Sequence, residues 1–379
     1  MTDEHTITTT AADWTALARA VGAELRPGVA AHDQRGEISV AAFEQLRAAG
    51  LTSALVPVEF GGGGASHDAM GQVLRELGRH DPATAVTLSM HAHLLAAQVW
   101  RHRHGLDATK VFRKVVDDRA ILVSTGASDW VGSSGTVRRV DGGFRASARK
   151  GPASGCEVGH VLVTSLRWDD APDGPQVLHC SVPMSADGVS IDRTWDTLGL
   201  RATGSHTVVL DDVFVPDAAI SLARAADQWH PVWNTVCGVA LPLIMSAYLG
   251  IADSAVELAR GAVSGRSEPH VLQLLGEMLN ADTTAADVVA AMYVDSDNLQ
   301  FENTDAIASR MLSRKTVATE AVIQTVRLAI EVTGGVGYTR SSDIERLYRD
   351  VHGSLFHPLP RAKQTQLTGR VALGMSPIG

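Results

Sequence analysis

The 379-residue chain predicts an α+β fold in which an all-β module is set between two helical regions. Three observations carry this. Residues 12–115 and 226–373 hold apolar patterns with a period near 3.6. Residues 119–225 hold short runs rich in β-branched residues, separated by Gly, Asp and Pro. No link between those runs is long enough for a helical crossover, so they belong together in one sheet module. The implied ranges are 1–117, 118–226 and 227–379.

In the first region, "AAFEQLRAAGL" sets Phe43, Leu46 and Leu51 at helical spacing, with Gly50 as a stop. "TSALVPVEFGGGGAS" reads as a short extended piece and a glycine turn, after which Ser66 can cap "HDAMGQVLRELGRH". In the second region seven strands are expected, and "VDGGF" marks a hairpin. In the third, "VWNTVCGVALPLIMSAYLGIA" (232–252) carries no formal charge and is nearly long enough to span a membrane. Its Asn234, Pro242 and two glycines favour a core helix instead. Two further long helical patterns follow, the second ending at Gly334-Gly335.

Several function classes are excluded. Net charge is −9 with no basic stripe, which speaks against nucleic acid and anionic membranes. The first residues carry no basic-then-apolar leader, and three scattered cysteines form no disulfide framework; a cytoplasmic protein is expected. The fifteen histidines form no metal signature. Gly61–Gly64 lack the Lys and Ser/Thr of a phosphate loop, and no G-x-S-x-G occurs.

Three ordered blocks nevertheless resemble one family, the acyl-CoA dehydrogenase-like flavoproteins. They are "LVPVEFGGGGAS", "LGLRATGSHTVVLDDVFVP" and "GGVGYTRSSDIERLYRD". The resemblance spans nearly the whole chain. It implies an N-terminal helical domain, a central β-barrel-like domain and a C-terminal four-helix bundle, assembled as a homotetramer. It also implies a flavin, FAD or FMN, between the β domain and the bundle. Candidate flavin contacts follow from matched positions. They are Ser124, Thr125 and Ser128 in "LVSTGASDW", Ser154 in "PASG", Arg201 in the second block, and Gly334, Gly335 and Gly337. Read without the family, Ser124, Thr125 and Ser154 are ordinary strand polarity.

The family divides by chemistry. Its dehydrogenases need a carboxylate base to take a weakly acidic Cα proton. One family position for that base falls on Pro358, after His357; the other falls near Ala240, where residues 229–250 hold no acid. The other branch resembles the dehydrogenases in fold but takes reduced flavin from a separate reductase and passes oxygen to a small molecule. Members of that branch have His at the position of His357 and a Ser–Gly like Ser154-Gly155, and some have His near His91 and His93. A histidine near neutral pKa could deprotonate a phenol or amine, and the Ser154 hydroxyl could donate near the flavin edge. The expected catalytic set is therefore His357, Ser154, His91 and His93. A dehydrogenase with an unrecognised base and a flavin scaffold without turnover stay open as alternatives.

Around His357, Ser342 and Glu345 predict a capping box. Ile344, Leu347, Tyr348, Val351 and Leu355 predict one buried face, and Pro358 ends the helix. A helix C-terminus would favour a protonated His357, and plain capping is the competing role. His352 reads as an ordinary helix residue.

Overall fold

A computed structural model describes residues 10–125 and 129–379. The N-terminal region contains α1 (Ala11–Leu25), α2 (Val29–Arg35), α3 (Val40–Ala48), α4 (His67–His80), α5 (Pro82–Arg103) and α6 (Thr109–Val116). The starts of α1, α3, α4 and α5 are set by side-chain caps. Thr10 and Asp13 cap α1 reciprocally. Ser39 accepts from the Ala42 amide at 3.2 Å and Ser66 from the Ala69 amide at 3.1 Å. The Asp81 carboxylate takes both the amide and the hydroxyl of Thr84, which fixes the start of α5.

The stretch 51–66 is not the extended piece expected. It forms two 3₁₀ turns, Leu51–Ser53 and Val58–Phe60. The glycine run explains why: a Cβ on Gly62 would stand 2.2 Å from the Val56 carbonyl oxygen, and one on Gly63 would meet the Trp14 ring at 2.6 Å. The run is a close-packed fold-back on its own preceding turn, and that geometry leaves no strand to pair.

The sheet has eight strands, one more than expected. They are β1 (Leu122–Ser124), β2 (Thr136–Val140), β3 (Gly143–Lys150), β4 (Val161–Trp168), β5 (Gln176–Pro183), β6 (Val189–Asp192), β7 (Thr207–Pro216) and β8 (Ile220–Ala225). The order is β6-β7-β3-β2-β4-β5-β8, with β1 pairing β4 in parallel. The missed strand, β8, has the sequence ISLARA, whose Ser, Ala and Arg residues mute the β signal; it pairs antiparallel with β5. The β2–β3 hairpin turns where expected, at Asp141-Gly142, with Gly142 at φ 73°. Val123, Phe144, Leu162, Leu178, Val208 and Val213 are among the residues of its own apolar core.

The C-terminal region contains α7 (Val232–Ala262), α8 (Pro269–Ser296), α9 (Asp305–Thr333), α10 (Asp343–Val351) and α11 (Arg361–Ala372). By length and composition α7 could cross a membrane, but 94% of its most apolar window is buried inside the protein, as a core helix requires. It crosses α4 closely: a Cβ on Gly250 would lie 2.0 Å from the Arg75 carbonyl oxygen, and one on Gly78 2.4 Å from that of Ala247. α5 also packs on α7, and touches β1 as well. One helix thus reaches both the sheet and the bundle.

The segment 342–357 departs from expectation. α10 stops at Val351 and a 3₁₀ turn, His352–Leu355, follows, so His357 lies beyond the helix. Ser342 does cap α10, but Glu345 bonds Arg349 at 2.8 Å instead of closing the box. Leu355 is exposed rather than part of the buried face. The tightening to 3₁₀ rotates it off the 3.6-residue stripe. His352 bonds the carbonyl of Tyr348 one turn back, as an ordinary helix residue would.

Candidate functional site

The site is built where α5 meets the sheet and the bundle. α5 carries His91 and His93 two residues apart, and an α-helix sends such positions to different sides. His91 is fully committed to the backbone. Its Nδ1 accepts the Leu122 amide at 3.0 Å, and its Nε2 donates to the Thr52 carbonyl at 2.7 Å. No ring nitrogen is left for a substrate, so His91 braces β1 against the 3₁₀ turn instead of serving catalysis. His93 differs. Its Nδ1 donates to the Ser89 carbonyl at 3.1 Å, one helical turn back. That fixes the neutral tautomer with a bare, accepting Nε2. Burial holds His93 at about 4, and so neutral.

His357 arrives from the turn after α10. Its Nε2 lies 2.9 Å from the Tyr248 hydroxyl of α7. Its carbonyl accepts from the Lys315 ammonium of α9 at 2.8 Å. Burial first, then the charges of Lys315 and His93, push its pKa down to about 3. The expected helix-end preference for the protonated ring is therefore overturned: the helix has already ended, and desolvation outweighs any dipole. His93 lies near enough to add to the lowering of His357, and α5 packs on α10.

Ser154 sits on the turn between β3 and β4, half-buried, where α5 packs: Thr87 Oγ1 donates to the Thr203 carbonyl at 3.2 Å, and a Cβ on Gly155 would stand 2.7 Å from the Thr87 methyl. Its hydroxyl joins a chain. Ser154 and Ser205 are 2.8 Å apart, Ser205 and Thr203 2.6 Å, and Thr203 donates to the Leu200 carbonyl at 2.9 Å. Each hydroxyl has one hydrogen. The arrangement that satisfies all three runs from Ser154 to Ser205 to Thr203 to Leu200. Ser154 then presents lone pairs outward, as an acceptor, rather than the donor expected.

On β1, Ser124 and Thr125 are half-buried. Ser124 Oγ lies 4.0 Å from the Met90 sulfur of α5, and Thr125 Oγ1 donates to Thr164 at 2.7 Å. Ser128 lies outside the described residues. Gly334, Gly335 and Gly337 form a turn that ends α9, with open space beside Gly334 and Gly335. Arg201 is placed elsewhere. Its guanidinium is spent on the Asp33 and Thr197 carbonyls and the Asp196 carboxylate, and it lines a separate cleft of about 610 Å³ with Arg346 and Arg349. It ties α2 to the sheet module.

These residues fit a flavin. Half-buried hydroxyls at the end of β1 and on the 152–155 turn, with the Met90 thioether beside Ser124, are groups that would suit the polar edge of a flavin ring. Neither family position for a dehydrogenase base holds a free carboxylate among the described residues. Residues 232–252 of α7 carry no acid, Asp253 is paired with Arg75 at 2.7 Å, and Asp350 accepts the Leu200 amide at 2.6 Å beside Arg346. Burial raises Asp350 to about 6.

Sequence reasoning missed Tyr248, Lys315, Thr203 and Ser205. One signal was present: Lys315 stands at a core position in the helical stripe Met311, Leu312, Lys315, Ala318, Val322, where a cation needs a reason.

A fold of helices, sheet and helical bundle around such a site defines a flavin-dependent oxidoreductase. Residues 12–110 match the family described as "Acyl-CoA dehydrogenase, N-terminal domain" and residues 242–355 match "Acyl-CoA dehydrogenase, C-terminal domain". The chain belongs to the acyl-CoA dehydrogenase-like superfamily, on the side of its flavin-dependent monooxygenases. It is 27% identical, over 88% of its length and 90% of the relative's, to YdbM of Bacillus subtilis, provisionally called an acyl-CoA dehydrogenase. It is 26% identical, over 90% of its length and 88% of the relative's, to the amino sugar nitrososynthase DnmZ of Streptomyces peucetius. Among solved structures it matches KijD3, in complex with FMN and a dTDP-linked amino sugar, with TM-score 0.86 and 26% identity over 98% of this chain and 95% of that one.

Proposed function

We propose that this protein is a two-component monooxygenase that uses reduced flavin and O₂ to hydroxylate or N-oxidise a small organic substrate. The observation that carries this is the pair of imidazoles, His93 and His357, held neutral by burial, with Pro358 at one family base position and no acid in residues 232–252 at the other. Bound reduced flavin supplies the electrons that activate oxygen. The chain supplies the rest. His93 Nε2 takes a hydrogen bond or proton from the substrate's N–H or O–H. Ser154, held as an acceptor by Ser205 and Thr203, would take an N–H of the bound flavin. Met90 and the buried face of α7 keep the site dry, which limits wasteful release of hydrogen peroxide.

The flavin is read as FMN, exchanged with a separate reductase. The FMN bound in KijD3 supports this. So does Arg266, at the place of the dehydrogenase "RxxFG" arginine, which is taken up by its neighbour Glu268. A homotetramer is supported by Val336, Tyr338, Phe356 and Leu373, each at least three-quarters exposed near the glycine turn or the C-terminal helices. Three buried free thiols support a reducing, cytoplasmic setting.

The test supplies enzyme with FMN reduced by a separate reductase and offers phenols and primary amines aerobically. Oxygen uptake matched by hydroxylated or N-oxidised product is expected. Bleaching of bound oxidised flavin by an acyl-CoA under anaerobic conditions would sink the reading in favour of dehydrogenation.

A further inference from the structure

We propose that Tyr248 is a positioning residue that fixes His357 as a hydrogen-bond donor through Nδ1, while Lys315 pins the same residue by its backbone. The catalytic meaning rests on the oxygenase reading above; the hydrogen-bond geometry stands without it.

Tyr248 is fully buried on α7. Among the described residues its hydroxyl has one hydrogen-bond partner, His357 Nε2 at 2.9 Å. A buried hydroxyl that donated to nothing would lose its hydration for no return. The hydroxyl therefore donates and Nε2 accepts. A neutral imidazole accepts at one nitrogen and carries hydrogen on the other, so Nδ1 bears the N–H. Nδ1 has no partner among the described residues and is not among the buried unpaired atoms, so it remains open to a ligand.

The groups acting on this pair come from four elements. Tyr248 of α7 bonds the ring and Lys315 of α9 bonds its backbone carbonyl, while the charges of Lys315 and His93 of α5 lower His357 and that of Asp350 of α10 raises Tyr248. Burial and the Lys315 charge keep the ring neutral well below physiological pH. The ring edges to the pairs: in a Tyr248–His357 T-shaped contact the centroids are 5.4 Å apart, which leaves little freedom for a ring flip that would exchange the nitrogens. His357 is thus not the resting base. Proton acceptance falls to His93 Nε2, and His357 offers N–H to the oxygen being transferred. The two histidines form an acceptor and a donor, each locked by a different helix.

The decisive experiment reads the His357 ring nitrogens directly. Full-length flavin-free protein, deuterated and ¹⁵N-labelled at histidine, is followed by long-range hydrogen–nitrogen correlation from pH 5 to 9, with His357 assigned by its loss in His357→Gln. Nδ1 should be protonated and Nε2 bare across the whole range, and Tyr248→Phe should mix in the opposite tautomer. A wild-type ring protonated at Nε2 with a bare Nδ1 would overturn the proposal. In turnover with reduced FMN, Tyr248→Phe should lower product formed per O₂ by about tenfold, with flavin affinity unchanged. Adding Tyr248→Phe to His357→Gln should cost nothing more, because the first acts through the second. Additive losses would show that Tyr248 acts elsewhere and contradict the assignment. A wild type with no oxygen-dependent turnover would defeat the oxygenase reading alone, since the nitrogen spectra still decide the tautomer.

Discussion

Lys315 donates to the carbonyl oxygen of His357 at 2.8 Å from a side chain only 2% exposed, and no carboxylate among the described residues pairs with it. A buried cation without a counter-charge is costly, so its pKa falls to about 8 through burial. Because the folded pKa lies below the unfolded one, the unfolded chain binds more protons between about pH 8 and 10.5. Lys315 therefore makes stability rise with pH in that window. Lys315→Met should abolish that rise and leave stability at pH 7.5 equal or higher, while product formed per O₂ falls as His357 loses its anchor. Urea melts at pH 7.5 and 9.5, beside an oxygen-coupling assay, check both halves.

His91 and His93 should part company under substitution. His91→Ala leaves the Leu122 amide and Thr52 carbonyl buried without partners, at a cost of about 2–4 kcal/mol in total. His93→Gln should change stability by under about 1 kcal/mol yet lower turnover by about 10²-fold. Thermal denaturation and steady-state rates separate the two; the reverse ranking would exchange their roles.

Acid should destabilise the protein before it protonates most carboxylates. Three buried histidines, His67, His91 and His93, and the half-buried His179 and His357 are held neutral, four at about 4 and His357 at about 3. Between pH 6.5 and those values the unfolded chain binds the extra protons, so stability is lost as pH falls through that window. Asp350, raised to about 6, acts with the opposite sign between pH 3.8 and 6, and Asp282, also raised, acts in the same sense, but the lowered histidines outnumber them. Denaturation midpoints at pH 7.5, 6 and 5 should fall steadily.

A buried ion pair ties Asp129 to the sheet. Lys150 on β3 reaches Asp129 at 2.6 Å and the Ser134 carbonyl at 2.7 Å, with side chains 1% and 6% exposed. Lys150→Met strands Asp129 and should cost about 3–5 kcal/mol. Lys150→Met with Asp129→Leu should recover much of it. Denaturant melts of the single and double variants test this.

How much of this was readable beforehand follows from the physics of each feature. Caps at Ser66 and Ser342 and the Asp141-Gly142 hairpin were legible because they depend on neighbours in sequence. The 51–66 fold-back was not, since its glycines are required by Trp14 and Val56 in space. His357 could be singled out from Pro358 and the family pattern, yet its protonation state could not. That state is set first by burial and then by Lys315, 42 residues away in sequence, while the ring bonds Tyr248, 109 residues away. The orientation of the Ser154 hydroxyl was hidden for the same reason: its partners, Ser205 and Thr203, stand on another segment.

The most direct measurement of the central claim is turnover under ¹⁸O₂ with reduced FMN and an amine or phenol substrate, followed by mass spectrometry of the product. The account predicts one ¹⁸O atom in the product of the wild type. It predicts His357→Ala with flavin binding retained but labelled product reduced about 10²-fold, the reducing equivalents leaving as hydrogen peroxide. Product that carries no ¹⁸O, or label incorporation unchanged in His357→Ala, would contradict it.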